Sequence, residues 1–333
     1  MALRLIEMVI SEAASEAVPA LLQGQQALDV KLARLANNEV LVRVLLDVSR
    51  SEGVLDLLSR QFAGVEGFRL VLLPVEAALP QSEPEPASPP APATEPARTE
   101  RISREELYND IQDAARLSVV YLVMVMLSTI VAAVGLLRNS VTTIIGAMVI
   151  APLLGPNVAL ALATTLADAK LARTALRAGA AGVGTAVVLS VGLGLFFPAN
   201  PAQTEIAVRT HVQLGDIAVA LAAGAAGALA FTTGVPATLI GVMVAVALLP
   251  PLATTGLLLG SRQMGPAAGA ALLFLTNLIC INLAGVTTFV VQGIHPVRWW
   301  EADRARKATG FAIVVWTVLL LALAAVIGLS HNR

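Results

Sequence analysis

The stretch Ile145-Gly146-Ala147-Met148-Val149-Ile150-Ala151-Pro152-Leu153-Leu154-Gly155-Pro156 returns without gaps as Ile240-Gly241-Val242-Met243-Val244-Ala245-Val246-Ala247-Leu248-Leu249-Pro250-Pro251. Seven of the twelve positions are identical. Leu and Val agree readily in apolar sequence, but Gly, Met and Pro in one register do not. The offset from Ile145 to Ile240 is 95 residues, which on the span count below holds three helices. Three is odd, so the second copy runs through a bilayer in the opposite sense to the first. Spans one to three then pair with spans four to six about an axis in the membrane plane, as in many transporters, and a seventh span is an addition.

The chain around the repeat has the composition of a membrane protein. Hydrophobic residues make up 56% and charged residues 14%, against roughly a quarter charged in a soluble domain, and the mean hydropathy is +0.77. The net charge is −1 and no long basic run occurs, so a nucleic-acid partner is not expected. The single cysteine, Cys280, lies in an apolar stretch, which rules out an intrachain disulfide framework and reads as an inert buried residue. Glu7, Glu12 and Glu16 interrupt any secretory apolar core, so the N-terminus is expected to stay in the mature protein.

Long gaps between charged side chains count the spans. Six of them run over 117–137, 139–167, 178–204, 217–261, 263–297 and 308–332. A helix rises about 1.5 Å per residue against a hydrocarbon thickness of about 30 Å, so the 217–261 gap is too long for one crossing. Thr232-Thr233-Gly234-Val235-Pro236 divides it. Seven spans result, near 117–137, 141–166, 177–197, 215–231, 236–259, 266–291 and 308–329. An inside N-terminus puts Arg101, Arg104, Arg116, Lys170, Arg173, Arg177, Arg298, Arg304, Arg306 and Lys307 in the cytoplasm, against Arg138, Arg209, Arg262 and Arg333 outside. The expected location is therefore a cytoplasmic (inner) membrane with a cytoplasmic N-terminal part, and Trp299 and Trp300 suit its headgroup region.

Residues 1–76 predict a small α/β domain. A strand over Leu3–Ile10, a helix over Ala14–Gln23 and a strand from Leu28 form one half. Asn37-Asn38 supplies a turn before the alternating Val40 to Val44, and Ser49 with Glu52 reads as a capping box for a helix reaching Phe62. A strand over Phe68–Val75 completes βαββαβ, the ferredoxin-like plait, which hosts many unrelated functions. It serves either ligand sensing and docking or passive assembly. Residues 77–100 form a Pro-rich spacer, with seven prolines between Pro80 and Pro96. Ser103 and Glu106 predict a second capping box, opening an interfacial amphipathic helix over 101–116 with Leu107, Ile111 and Leu117 as its apolar side.

Gly135-Leu136, Asn139-Ser140, Ile144-Ile145-Gly146-Ala147-Met148, Ala151-Pro152-Leu153 and Pro156 closely resemble the bacterial and archaeal membrane family called domain of unknown function 389. The resemblance extends over most of residues 102–292. It implies a membrane domain of several helices with a soluble N-terminal part, and it carries over no catalytic or substrate-binding role. The second copy departs from the motif, with Ala247 at the place of Pro152 and Leu252 at that of Asn157.

Polar residues in the spans supply the candidate path. Pro removes a backbone donor and Gly permits close approach or a bend, so carbonyls near Ala147, Met148 and Leu248 are expected to need partners. In lipid such groups survive only against protein or water, which places Pro152, Pro156, Pro250 and Pro251 inward. The breaks serve either a substrate path or helix packing. No Asp, Glu, Lys or Arg falls mid-span, so a carboxylate proton relay is not expected. Buried Asn amides cost several kcal/mol if unpaired. The candidate path residues are accordingly Asn139, Ser140, Gly146, Pro152, Gly155, Pro156, Asn157, Gly241, Pro250, Pro251, Thr254, Asn277 and Asn282. Glycines such as Gly179, Gly182, Gly192, Gly194, Gly224 and Gly227 suit close helix contacts, within one chain or in a homo-oligomer.

No catalytic residue, metal site or cofactor is read from the sequence. His211, His295 and His331 lie in loops or at the end, with no metal-ligand spacing and no nucleophile motif. The expected class is a mainly α-helical polytopic membrane protein that transports, or conducts, a small solute or ion. The alternative is a membrane-anchored oligomeric sensor or scaffold whose N-terminal domain binds a ligand or partner.

Overall fold

The computed structural model describes residues 3–35, 38–62, 64–65, 68–75, 102–233, 237–294, 314 and 317–318. Asn37, the spacer 77–100, Gly234–Pro236, Trp299, Trp300 and nearly all of the predicted span 308–329 lie outside them. The chain divides into two compact units, Met1–Leu107 and Tyr108–Arg333.

In the first unit, strand β1 (Leu3–Ser11) alternates half-buried and buried side chains, as a sheet with one covered face requires. It is followed by α1 (Glu12–Ser15) and α2 (Val18–Leu22). These replace the single predicted helix over Ala14–Gln23. Pro19, at the start of α2, lacks the N–H that a continuous helix would use there. Strands β2 (Asp29–Arg34) and β3 (Glu39–Asp47), helix α3 (Val48–Phe62) and strand β4 (Arg69–Val75) follow. The sheet is antiparallel in the order β2-β3-β1-β4, with Ile6 opposite Val44 and Leu72. Ile6, Met8, Val42, Val44 and Leu46 form its core with Val54, Leu58 and Phe62 of α3.

Both predicted capping boxes are altered. Asp47 Oδ1 accepts from the Ser49 N–H at 2.9 Å and from its hydroxyl at 2.6 Å. The helix therefore starts at Val48, and Ser49 is a first-turn residue rather than the cap. At helix α4 (Arg104–Ala114) Ser103 Oγ accepts from the Glu106 N–H at 3.3 Å. The Glu106 carboxylate turns away from the helix end because Arg4 takes both its oxygens, at 2.8 and 3.1 Å. Leu107 and Ile111 are buried as predicted, whereas Leu117 is exposed.

The second unit is built from α5 (Val119–Leu137), α6 (Val141–Ile150), α7 (Leu154–Leu166), α8 (Ala169–Phe196), the short α9 (Thr204–Ala207), α10 (Leu214–Thr233), α11 (Ala237–Gly260) and α12 (Met264–Val291). Among the described residues four helices, α5, α8, α10 and α12, are long and apolar enough to cross a membrane, and five spans result if α6 and α7 together count as one. The part of α11 described in full, Val244–Gly260, is shorter than that test requires. The predicted span 141–166 is a pair of helices bent by 54°. The predicted span 177–197 begins earlier, at Ala169, because Asp168 Oδ1 caps its first turn through the Lys170 and Leu171 N–H groups at 2.8 and 3.0 Å. Its 28 residues are more than a bilayer needs. Lys170, Arg173 and Arg177 therefore have two turns in which to reach water.

Asp168 also accepts from the Tyr108 hydroxyl at 2.7 Å. Burial, then that bond and the carboxylate's charge, push the Tyr108 phenol up to about 12. Burial acts to raise the Asp168 carboxyl, but the Tyr108 hydroxyl and the two capping amides outweigh it and leave its pKa below the ordinary Asp value. A carboxylate held low in the folded state adds stability above its unfolded pKa, and that stability is lost as pH falls through the folded value. Tyr108→Phe is expected to cost about 1 kcal/mol at neutral pH. The difference from wild type should shrink as the buffer is taken below the carboxylate range, which thermal unfolding at a series of pH values would measure. A difference that stays constant through and below that range would contradict the assignment.

Candidate functional site

The two copies of the repeated segment fold differently, and one residue accounts for it. In the first copy Pro152 lacks a backbone donor, and the chain leaves the helix over Ala151–Leu153 to give the bend between α6 and α7. In the second copy Ala247 stands at that place, and α11 continues as one helix with Pro250 and Pro251 inside it. Their missing N–H groups leave the carbonyls of Val246 and Ala247 without their i+4 donors.

The carbonyl that gains a side-chain partner is Ala247, not the predicted Leu248. Asn277 on α12 donates to it through Nδ2 at 2.7 Å. At the other break the Met148 carbonyl accepts from the Ala151 N–H at 3.3 Å. Thr255 Oγ1 donates to the Pro251 carbonyl at 2.8 Å. Pro156, Pro250 and Pro251 are buried, and Pro152 is half-buried.

Five residues further along α12, Asn282 donates through Nδ2 to Asn157 Oδ1 on α7 at 3.1 Å and to its own helix at Leu278 O at 2.9 Å. Asn157 in turn donates to the Leu153 carbonyl at the bend, at 2.8 Å. Each of the three amide nitrogens therefore has a partner. The oxygens are less well served. Asn277 Oδ1, Asn282 Oδ1 and Thr254 Oγ1 are all buried without a hydrogen-bond partner, on residues no more than 4% exposed. Thr254 lies seven residues past Ala247, about two turns on and on the same face of α11.

Small residues let these helices meet. Gly155 lies so close to Ala114 that a Cβ would overlap its carbonyl oxygen. Gly241 meets the side chain of Leu154, and Gly227 meets Leu154, Val244 and Val158. Gly285 faces Ala161 one turn beyond the Asn282–Asn157 contact. The bend at 151–153 is thus held by α10, α11 and α12 together.

Three candidate residues stand apart from this cluster. Asn139, at φ 52, accepts the Glu205 N–H through Oδ1 at 2.9 Å and ties the α5–α6 hairpin to the loop that carries α9. Ser140 caps α6 through the Thr143 N–H at 3.4 Å. Both sit at the far end of α6 from the bend. Gly146 is exposed, and a Cβ there would meet nothing. Ser190 on α8 is a buried hydroxyl without a partner that the sequence reading passed over. It packs against Gly256, and its one signal in the sequence was a polar residue in an otherwise apolar span.

Residues 148–283, which contain Asn157, Asn277 and Asn282, match the family model described as Domain of unknown function (DUF389). The chain is 38% identical over 282 residues to the uncharacterized protein MJ0678 of Methanocaldococcus jannaschii, covering 85% of each. No solved structure matches the chain. With identity at that level over most of both proteins, and the family model lying on the bent helix and its partners, the chain belongs to the DUF389 family of proteins.

Proposed function

We propose that the protein is a membrane transporter or channel-like protein for a small solute or ion, with no catalytic chemistry of its own. Its path passes the bend between α6 and α7. The observation that carries this reading is the bridge from Asn157 to Asn282 at that bend, with oxygens left unpartnered in an otherwise apolar interior. Buried polar groups without partners are costly, and in membrane proteins a broken helix with irregular backbone is tolerated where it is buried in protein or lines a water-filled cavity. The repeat supports a 3+3 inverted arrangement, with the predicted seventh span as an addition.

The sheet order and the helix placements support a ferredoxin-like plait, which we read as a cytoplasmic regulatory or assembly domain in an inner-membrane protein. A homo-oligomer fits the exposed small residue Gly184 of α8, where an added Cβ meets nothing.

The test is flux into liposomes carrying the full-length protein, measured for a panel of inorganic ions and small polar metabolites. We expect entry of at least one solute above that of empty vesicles, and a loss of about 10-fold or more in Asn157→Leu, since each removed polar contact in a path costs on the order of 1–3 kcal/mol. Entry equal to that of empty vesicles across the panel would favour the sensor or scaffold alternative. A chain shortened to begin at Thr99 then tests the plait: unchanged flux makes it accessory.

A further inference from the structure

We infer that the Asn157–Asn282 bridge is a binding site for a partly dehydrated monovalent cation of the alkali class, with Asn277 on α12 as a second, separate station. The inference rests on the transport reading for its purpose but on separate observations for its chemistry.

The first observation is the sign of the unmet hydrogen-bonding capacity. The Nδ2 groups of Asn157, Asn277 and Asn282 donate to Leu153, to Ala247, and to Leu278 with Asn157, in that order. What remains is oxygen, on Asn277 Oδ1 and Asn282 Oδ1. Asn157 Oδ1 receives one bond and keeps a second lone pair. A ligand that satisfies this set must offer positive charge or hydrogen to oxygens, and an anion would meet lone pairs on every side.

The second observation is the absence of formal charge. Among the described residues no group of three or more His, Cys, Asp or Glu side chains is placed to hold a metal ion. Amide and hydroxyl oxygens around the bend carry only partial charge. Hard divalent cations lose too much hydration energy to enter such a site without carboxylates. A monovalent cation loses far less, and rings of neutral oxygens are how proteins replace its water shell.

The third is position. Asn277 and Asn282 lie five residues apart on one helix, so their oxygens sit at levels about 7.5 Å apart along its axis. Pro250 leaves the Val246 carbonyl of α11 without its i+4 donor, whereas that of Ala247 is taken by Asn277. Successive weak oxygen stations suit an ion that must enter and also leave.

The experiment uses purified full-length protein. Thermal unfolding is followed in NaCl, KCl and RbCl titrations, with choline chloride holding ionic strength constant and CaCl2 as the divalent control. We expect one alkali ion to raise the midpoint by several degrees at concentrations about 100 times its Kd, with choline and calcium inert. Asn282→Leu should abolish the shift. If that variant fails to fold, Asn282→Asp serves instead. It keeps oxygen at the site and adds charge, so half-maximal shift should move to an ion concentration about 10-fold lower at pH 8, and calcium should become effective.

Liposome flux on the same samples separates the two readings. Ion-specific stabilisation lost in Asn282→Leu without any flux would uphold the cation site and count against transport. Solute flux without an alkali-specific shift would leave transport standing and overturn the cation assignment. A shift that survives undiminished in both Asn282→Leu and Asn157→Leu would also overturn it, since the ion would then bind elsewhere.

Discussion

Replacing Gly194 by Leu is expected to leave little folded protein to recover, while replacing Gly192 by Leu, two residues away on the same helix, should be tolerated. At Gly194 of α8 a Cβ would overlap the Leu257 carbonyl of α11, and at Gly260 it would meet the Val191 carbonyl and the backbone of Gly194. The two helices touch backbone to backbone there, with no flexible side-chain end that could move aside. Overpacking a close contact costs typically 1–3 kcal/mol and more where backbone must shift, so about 3 kcal/mol or more is expected at Gly194 and again at Gly260. At Gly192, which is half-buried, an added Cβ meets nothing, and a substitution without a clash usually stays within about 0.5 kcal/mol. The readout is the folded fraction after size-exclusion chromatography in detergent, followed by thermal unfolding. Equal losses at positions 192 and 194 would show that the helices do not approach as described.

The second large effect belongs to Asn277. Asn277→Leu strips the Ala247 carbonyl of its donor in a dry interior, which is expected to cost about 1–3 kcal/mol. The cause is the missing N–H of Pro251, so the cure is specific. In Asn277→Leu with Pro251→Ala, the restored backbone N–H at position 251 can bond the Ala247 carbonyl, and the double variant should regain much of the loss. A coupling energy of about 1–2 kcal/mol in the double-mutant cycle is expected from unfolding midpoints. Strict additivity of the two substitutions would contradict the pairing.

The sequence made the broken helix legible because proline's covalent chemistry is local. The helix breaks at Pro152, whereas Pro250 and Pro251 stay inside α11, so proline marks where a break can come and packing decides whether it does. The helix limits of α5, α10, α11 and α12 lie within a few residues of the expected spans, since long apolar runs bounded by charges leave few alternatives. What the sequence could not supply were the partners of freed groups. That Asn277 reaches Ala247 rather than Leu248 depends on the rotation of α12 against α11, which no periodicity encodes. Asn282 and Asn157 are 125 residues apart, and only packing brings them together.

Motif membership also misled in places. Asn139 and Gly146 share the motif with Pro152 and Pro156, yet Asn139 fastens a loop and Gly146 lies on the outer surface. A residue's presence in a repeated pattern says that its backbone has a place to be, not that its side chain faces the interior. At the helix starts, Asp47 displaced the predicted role of Ser49 because a charged acceptor two residues earlier caps more strongly than a hydroxyl in the first turn.

The difference between the two copies bears on how such a molecule can move. At the bend over 151–153 the backbone carries no regular ladder of hydrogen bonds, and the angle between α6 and α7 is set by what packs against it. Over the matching residues α11 stays helical with Asn277 on its Ala247 carbonyl, and its glycine contacts with α8 come further along, at Gly256 and Gly260. One copy turns a corner and the other runs straight. Two halves built this way cannot trade shapes with each other as symmetry-related arms would.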